Sequence, residues 1–386
     1  MVRESINRSL DLGALLRKKS HFLFGPRGTG KSWLVRQQLS RSVDYIDLLH
    51  SATYLHLTAR PSDLEAMISK ETVVIDEVQR IPELLNEVHR LIENRRTKFL
   101  LTGSSARRLK RGGANLLAGR AYTAALFPLN WAELEGEGRF DLNRFLRFGG
   151  LPSAITEDDP EAYLAAYVDT YLKEEIQAEA LVRNLGNFAR FLQVAALANT
   201  QIVNYTKVAN DSQLSPNTVR DYFQILEDTL IGYQLPAWTR SRKRKAIQAA
   251  KFYFFDIGVA HAINSITDLE EHSDTYGKAF EHFMAMELRA YLSYSRVREA
   301  LQYWRSTTKF EVDFLVGNRF AVEVKSTRRA SERDQKGLQA LAEEDYPGEL
   351  FLVSRDEQTM SFPSGIRHLH WREFLRKLWN GDLLNH

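Results

Sequence analysis

The 386-residue chain contains no cysteine. That excludes disulfides, thiolate zinc sites and a cysteine nucleophile, and it fits a reducing compartment. No stretch approaches the roughly 20 apolar residues of a helical membrane span. The first residues, Met1 to Arg8, lack the apolar centre of a secretory signal. A soluble cytoplasmic protein with no membrane contact is therefore expected. An excess of charge of either sign is missing too: 52 Lys and Arg against 49 Asp and Glu leave +3. Nothing global demands nucleic acid, and any basic surface must be local. At 44% hydrophobic and 26% charged, the composition gives no sign of disorder. What the chain does have is length, more than one ordinary core accommodates, so two or three domains are expected.

The clearest motif is Gly25-Pro26-Arg27-Gly28-Thr29-Gly30-Lys31-Ser32, the G-x-x-x-x-G-K-[ST] phosphate-binding loop. The apolar stretch His21 to Phe24 precedes it as a candidate buried strand. Trp33 to Leu39 follows with helical spacing of apolar residues. Strand, glycine-rich turn and helix N-terminus together turn backbone N–H groups and a positive dipole end toward one anion. The glycines let the chain approach phosphates closely. Lys31 is expected to reach the β- and γ-phosphates of ATP, and Ser32 to hold Mg2+.

A second landmark, Thr72 to Glu77, is an apolar run ending in two acids. In a doubly wound sheet these acids emerge beside the phosphates. Asp76 is expected to orient Mg2+ and Glu77 to polarise the attacking water. Lys98 to Ser105 reads as another strand with the same outlook. Ser104, or failing it Thr102, is the candidate γ-phosphate sensor. Tyr45 to Leu49 is a further candidate strand. Among the arginines that follow, Arg120 is the first choice for a finger supplied to a neighbouring subunit, with Arg107 second; surface arginine is the alternative for both.

These stretches resemble the AAA+ ATPases, in particular a bacterial and archaeal branch that joins a compact AAA+ core to a C-terminal region of unknown function. The likeness rests on Gly25 to Ser32, Val74 to Pro82, Leu101 to Ser105 and Leu117 to Arg120. It continues through Phe127-Pro128-Leu129 and Gly149-Gly150-Leu151-Pro152. The resemblance implies ATP sites shared between subunits, hence a homo-oligomer, with a hexameric ring as one form it can take.

Glu161 to Leu197 is helical in pattern, with breaks at Pro160 and Gly186. Phe188 to Asn199 and Tyr205 to Asn210 predict two helices. Ser215 predicts an N-cap, with Pro216 as first helical residue of a third. Val219, Tyr222, Phe223 and Leu226 fall on the buried face. Asn217, Thr218, Arg220, Asp221 and Gln224 then face outward, as on a helix that reads DNA. Strands are predicted over Ile231 to Ala237 and Lys251 to Phe255. Between them Arg240, Arg242, Lys243, Arg244 and Lys245 would form a basic wing tip contacting phosphates. A protein-interaction module with a solvated basic run is the alternative.

In the last third, Phe310 to Leu315 and Phe320 to Lys325 both alternate with period two around Gly317-Asn318-Arg319. A three-residue loop pairs Val316 with Phe320 and sets Asp313 opposite Glu323. Asp313, Glu323 and Lys325 then share a face. Paired carboxylates favour Mg2+ or Mn2+, and Lys325 would help activate water. The order Asp313, then Glu323-Val324-Lys325, resembles the PD-(D/E)XK nuclease motif. That family also carries an acid on a preceding helix; Glu281 fits, and Glu287 lies on another face. The helix after the core strands is predicted over Ser331 to Glu344, and a further strand over Leu350 to Val353.

The resulting expectation is an α/β chain with a P-loop AAA+ core over 1–135 and a helical lid over 136–185. A winged-helix-like domain follows over 186–260 and a restriction-endonuclease-like domain over 261–386. Its expected function is ATP hydrolysis coupled to binding or remodelling of duplex or branched DNA, with Mg2+-dependent cleavage in prospect. The alternative is an ATP-dependent regulatory switch whose nuclease-like domain is an inactive docking module.

Overall fold

The computed structural model describes residues 6–40, 42–105, 116–172, 184–358 and 364–384. Its N-terminal part is a parallel sheet of β1 (Ser20–Phe24), β2 (Asp44–Asp47), β3 (Thr72–Asp76), β4 (Lys98–Gly103) and β5 (Ala121–Ala125), in the order β2-β3-β4-β1-β5. The helices α1 (Leu12–Lys18), α2 (Lys31–Leu39), α3 (Ser51–Ala59) and α4 (Leu84–Arg95) accompany it. One face packs Leu12, Leu16 and Leu34 against Leu23, Val74 and Leu100. The other packs Leu85 and Val88 against Phe22, Ile75 and Leu101. Burial on both faces explains why these strands are continuous apolar runs. All five strands run in parallel, so the P-loop, Asp76 and Ser104 emerge at one carboxyl edge.

The middle of the chain comprises α5 (Trp131–Gly136), α6 (Leu142–Phe148), α7 (Pro152–Thr156), α8 (Pro160–Ala166), α9 (Leu185–Leu197), α10 (Tyr205–Ser212) and α11 (Pro216–Asp228). The antiparallel ribbon of β6 (Gly232–Leu235) and β7 (Lys251–Phe254) follows, and then α12 (Ile257–Ile263). The Ser215 hydroxyl accepts from Thr218 N at 3.1 Å and caps α11. Val219, Tyr222, Phe223 and Leu226 are buried, while Asn217, Arg220, Asp221 and Gln224 are exposed and Thr218 is half-buried.

The basic run is not a free wing tip. Glu344 accepts from the backbone N–H groups of Arg242 and Lys243 at 2.8 and 2.6 Å. Arg244 pairs with Glu343 and Glu344 at 2.5 and 2.9 Å, and Arg242 with Asp345 at 2.9 Å. Arg242 and Arg244, expected on nucleic acid, therefore hold the β6–β7 connection against the C-terminal module. Arg240, Lys243 and Lys245 stay exposed. The acids that do this lie about a hundred residues downstream, where no local pattern in the run points.

The C-terminal module begins with α13 (Asp274–Tyr294) and continues through β8 (Leu301–Arg305), β9 (Glu311–Val316), β10 (Phe320–Lys325), α14 (Lys336–Ala342), β11 (Glu349–Ser354), β12 (Arg367–His370) and α15 (Trp371–Trp379). Its sheet order is β12-β11-β10-β9-β8, with β10, β11 and β12 parallel and β8 and β9 antiparallel. Phe320 pairs with Val316 and Val322 with Phe314, the register the three-residue loop predicts. The Asp313 carboxylate accepts from Val324 N at 2.8 Å.

The cores cut across the expected lid. Trp131, Phe145 and Leu146 pack with Phe283, Trp371 and Phe374 of the C-terminal module. Leu151, Leu164 and Tyr167 instead join Phe191, Phe223 and Phe254. Glu287 is central to the first of these contacts, accepting from Trp131 N at 2.7 Å and Trp379 Nε1 at 2.8 Å. Burial pushes its pKa from the ordinary 4.5 up to about 8. A carboxyl with a raised folded pKa contributes stability that is intact below the unfolded value and lost as pH rises through the folded one. Thermal melts between pH 5 and 8.5 should therefore show the wild type losing ground against Glu287→Gln as pH rises. A gap that does not change with pH would refute this.

Candidate nucleotide site and carboxylate cluster

Gly28 and Gly30 have φ of +84° and +91°, a region closed to most side chains. They let the loop between β1 and α2 curl over the helix N-terminus. Lys31 lies back along the loop, donating to the carbonyls of Gly25 at 2.6 Å and Pro26 at 3.2 Å. The Thr29 hydroxyl donates to Pro26 O at 2.9 Å, and the Arg27 carbonyl accepts from the Tyr167 hydroxyl at 2.9 Å. The loop borders a cleft of about 350 Å3, with Ser32 and Glu77 among its lining and Ile6, Arg8 and Pro152 on other walls.

Asp76 is buried and accepts from the Ser32 hydroxyl at 2.8 Å, and also from the hydroxyls of Tyr45 and Thr102. Burial and then the bond to Asp76 push the Tyr45 pKa up, so this hydroxyl stays a donor. The Ser32–Asp76 pair supplies one hydroxyl and one carboxylate, a donor set that fits a Mg2+ ion completed by phosphate and water oxygens.

Glu77 takes a left-handed backbone, φ 61°, just past the end of β3. Its N–H donates to the Thr102 hydroxyl at 3.2 Å. The Gln79 amide bonds the Glu77 carboxylate and also donates to the Ser104 hydroxyl at 3.2 Å. The acid and the candidate sensor are thus joined through Gln79, which the sequence reading missed. Its only signal was its place two residues beyond Glu77.

Arg120 lies at the other end of the sheet, just before β5, with its guanidinium paired to Glu93 of α4. Within one chain it does not approach the P-loop. Arg107 lies outside the described residues.

Arg8 is a second residue the motifs did not mark. Its side chain is 2% exposed and pairs at 3.1 Å with Glu133, itself 1% exposed. It donates to Thr29 O of the P-loop at 2.8 Å and Phe127 O at 2.6 Å, and lies 3.4 Å from the Tyr294 hydroxyl at the end of α13. Burial pulls its pKa down, but Glu133 and Tyr294 more than offset this, and it stays charged.

In the C-terminal module Glu281, Asp313, Glu323 and Lys325 come together, and Lys251, Tyr253, Arg305 and Glu311, absent from the expected set, join them. Lys251 of β7 is 3% exposed, with Nζ 2.7 Å from Glu311, 2.9 Å from Glu281 and 3.6 Å from Asp313. Glu311 also pairs with Arg305 at 3.0 Å. The Tyr253 hydroxyl donates to Glu281 at 2.6 Å. Lys325 pairs with Glu323 at 2.5 Å. Burial lowers the Lys251 pKa, yet Glu281, Asp313 and Glu311 together raise it well above the ordinary value. Burial and then Asp313 push Glu323 up to about 8.

Four carboxylates therefore face three cations. Among the described residues no group of three or more His, Cys, Asp or Glu has the geometry of a metal site. The donor set in this arrangement does not fit Mg2+ or Mn2+, because an ammonium already lies among its carboxylates. Among the described residues no helix is long and apolar enough to cross a membrane.

Residues 17–135 match the family model described as "AAA domain". Residues 139–270 match a domain of unknown function (DUF8612), and residues 276–374 another (DUF4143). Uncharacterized proteins of Mycobacterium tuberculosis and Mycobacterium bovis are each 26% identical over 340 residues, covering 83% of this chain and 74% of theirs. One from Methanocaldococcus jannaschii is 22% identical over 344 residues, covering 81% of this chain and 75% of its own. A Vibrio cholerae protein of solved structure aligns over 94% of this chain and 97% of its own, at 10% identity and a TM-score of 0.22, too poor a superposition to transfer a fold. The chain thus carries an AAA-type ATPase domain and a C-terminal DUF4143 domain.

Proposed function

We propose, from the premise of an AAA-type ATPase domain joined to a DUF4143 domain, that the chain hydrolyses ATP and couples hydrolysis to binding or remodelling of DNA. The observation that carries the ATPase part is the meeting of Lys31, Ser32, Asp76, Glu77 and Ser104 at one sheet edge beside the cleft. Ser32 and Asp76 would hold Mg2+ there, and the ion would supply positive charge to the phosphate oxygens. Lys31 swings from the Gly25 and Pro26 carbonyls to the β- and γ-phosphates. Glu77 takes the proton of the attacking water, while Gln79 fixes its carboxylate relative to Ser104. In a homo-oligomeric ring Arg120 would exchange Glu93 for a neighbour's phosphate.

For DNA, the support is the exposed face of α11 with Asn217, Arg220 and Gln224, together with the exposed Arg240, Lys243 and Lys245. A phosphate-contacting surface is the reading, without base readout. ATP turnover measured with single-stranded, duplex and branched DNA should rise with at least one of them. Unchanged turnover, together with no DNA binding at low salt, would remove the DNA reading and leave the regulatory switch. Two contacts favour that second reading: the clamp of Arg242 and Arg244 on the acids after α14, and Lys251 inside the carboxylate cluster. In both readings the PD-(D/E)XK-like module docks rather than cuts while β7 remains in place.

A further inference from the structure

The ribbon β6–β7 and its connection are built into the C-terminal module along their length. Trp238 N donates to Tyr303 O at 2.7 Å, Ile247 N to Arg305 O at 2.8 Å and Thr307 N to Lys245 O at 2.9 Å, so the connection lies along the free edge of β8. At its far end Lys251 enters the carboxylate cluster. Three carboxylates within 3.6 Å surround one nearly inaccessible ammonium, and it has the Tyr303 ring 5.5 Å away. Among the described residues no other cation forms an ion pair with more than one of these acids: Arg305 pairs with Glu311, and Lys325 pairs with Glu323.

Carboxylates brought this close repel unless a cation joins them, and a divalent ion is the usual solution. Here β7 brings its own. A divalent ion placed among Glu281, Glu311 and Asp313 would lie against the Lys251 ammonium, and the two would repel strongly at low local dielectric. Removing the lysine leaves the acids uncompensated. The buried Glu323 Oε2 already has no hydrogen-bond partner, an oxygen a metal could use.

We infer that Lys251 is an internal cation occupying the metal position of the C-terminal carboxylate cluster, so that the module binds no Mg2+ or Mn2+ while β7 is docked. This deepens the docking reading of the module given above and rests on it. The test is Mn2+ titration of the full chain without nucleotide, followed by electron paramagnetic resonance, on wild type, Asp313→Asn, Lys251→Met and the Lys251→Met/Asp313→Asn double variant. Wild type and Asp313→Asn should titrate identically, because neither holds Mn2+ in the cluster. Lys251→Met should gain one site, lost again in the double variant.

A wild-type site that disappears in Asp313→Asn would overturn the inference, as would a folded Lys251→Met that gains none. If Lys251→Met does not fold, the comparison of wild type with Asp313→Asn decides alone. DNA-stimulated ATP turnover, run on the same wild-type preparation, reports separately on the proposed function. Its absence would not alter the Mn2+ result.

Discussion

Glu77→Gln should lower ATP turnover by about 100- to 10,000-fold while leaving ATP binding nearly intact, the effect of losing a general base. In free-energy terms that is about 3–5 kcal/mol of barrier. Glutamine keeps the size and the hydrogen-bonding carbonyl of glutamate but cannot accept the proton of water at neutral pH. The Gln79 amide still has an oxygen to donate to, so the link to Ser104 survives and the local structure should persist. Binding is carried by the loop, Lys31 and Ser32, which this change does not touch. Equilibrium binding of a fluorescent ATP analogue and steady-state phosphate release separate the two quantities. Turnover within a few-fold of wild type would show that Glu77 is not the base. Gln79→Leu tests the link: it should also reduce turnover, by less than Glu77→Gln, because the base remains but loses its orientation.

Much of this site was legible because its signals are local. The P-loop letters specify a backbone shape, and the run Thr72 to Asp76 is apolar because both faces of β3 are buried. The same holds for the hairpin, where the parity of a three-residue loop pairs Val316 with Phe320 and Phe314 with Val322, and for Ser215, whose cap role depends on residues three positions away. The weaker strand β5, Ala121–Ala125, carries no apolar run because it is an edge strand, and it was not anticipated.

What the sequence concealed is contact between modules. Lys251 was assigned to a strand, but nothing near it in the chain says that it meets Glu281, Glu311 and Asp313. The basic run from Arg240 to Lys245 reads the same whether solvated, on phosphate or paired with Glu343 and Glu344. Charge tells what a segment can attract, and only tertiary structure tells which partner lies within reach. A run of like charges is accordingly poor evidence for nucleic acid when a set of acids exists elsewhere in the chain.

Arg8→Ala should destabilise the chain by about 3–5 kcal/mol, the cost of leaving one member of a buried ion pair without the other. Glu133 cannot turn to solvent: its oxygens also accept from Ser9 N at 2.7 Å and Asn130 N at 3.2 Å. The same substitution frees the carbonyls of Thr29 and Phe127, so the P-loop loses a tether and ATP affinity should fall as well. Arg8→Lys separates the two effects. A lysine restores the charge beside Glu133 and much of the stability, yet it lacks the planar fork that reaches Thr29, Phe127 and Glu133 at once. Denaturant unfolding should therefore rank wild type above Lys above Ala, while ATP affinity in Lys stays closer to Ala than to wild type. Equal stability of Ala and wild type would mean that Glu133 finds another cation. Full affinity in Arg8→Lys would mean that charge alone, and not the fork, holds the P-loop.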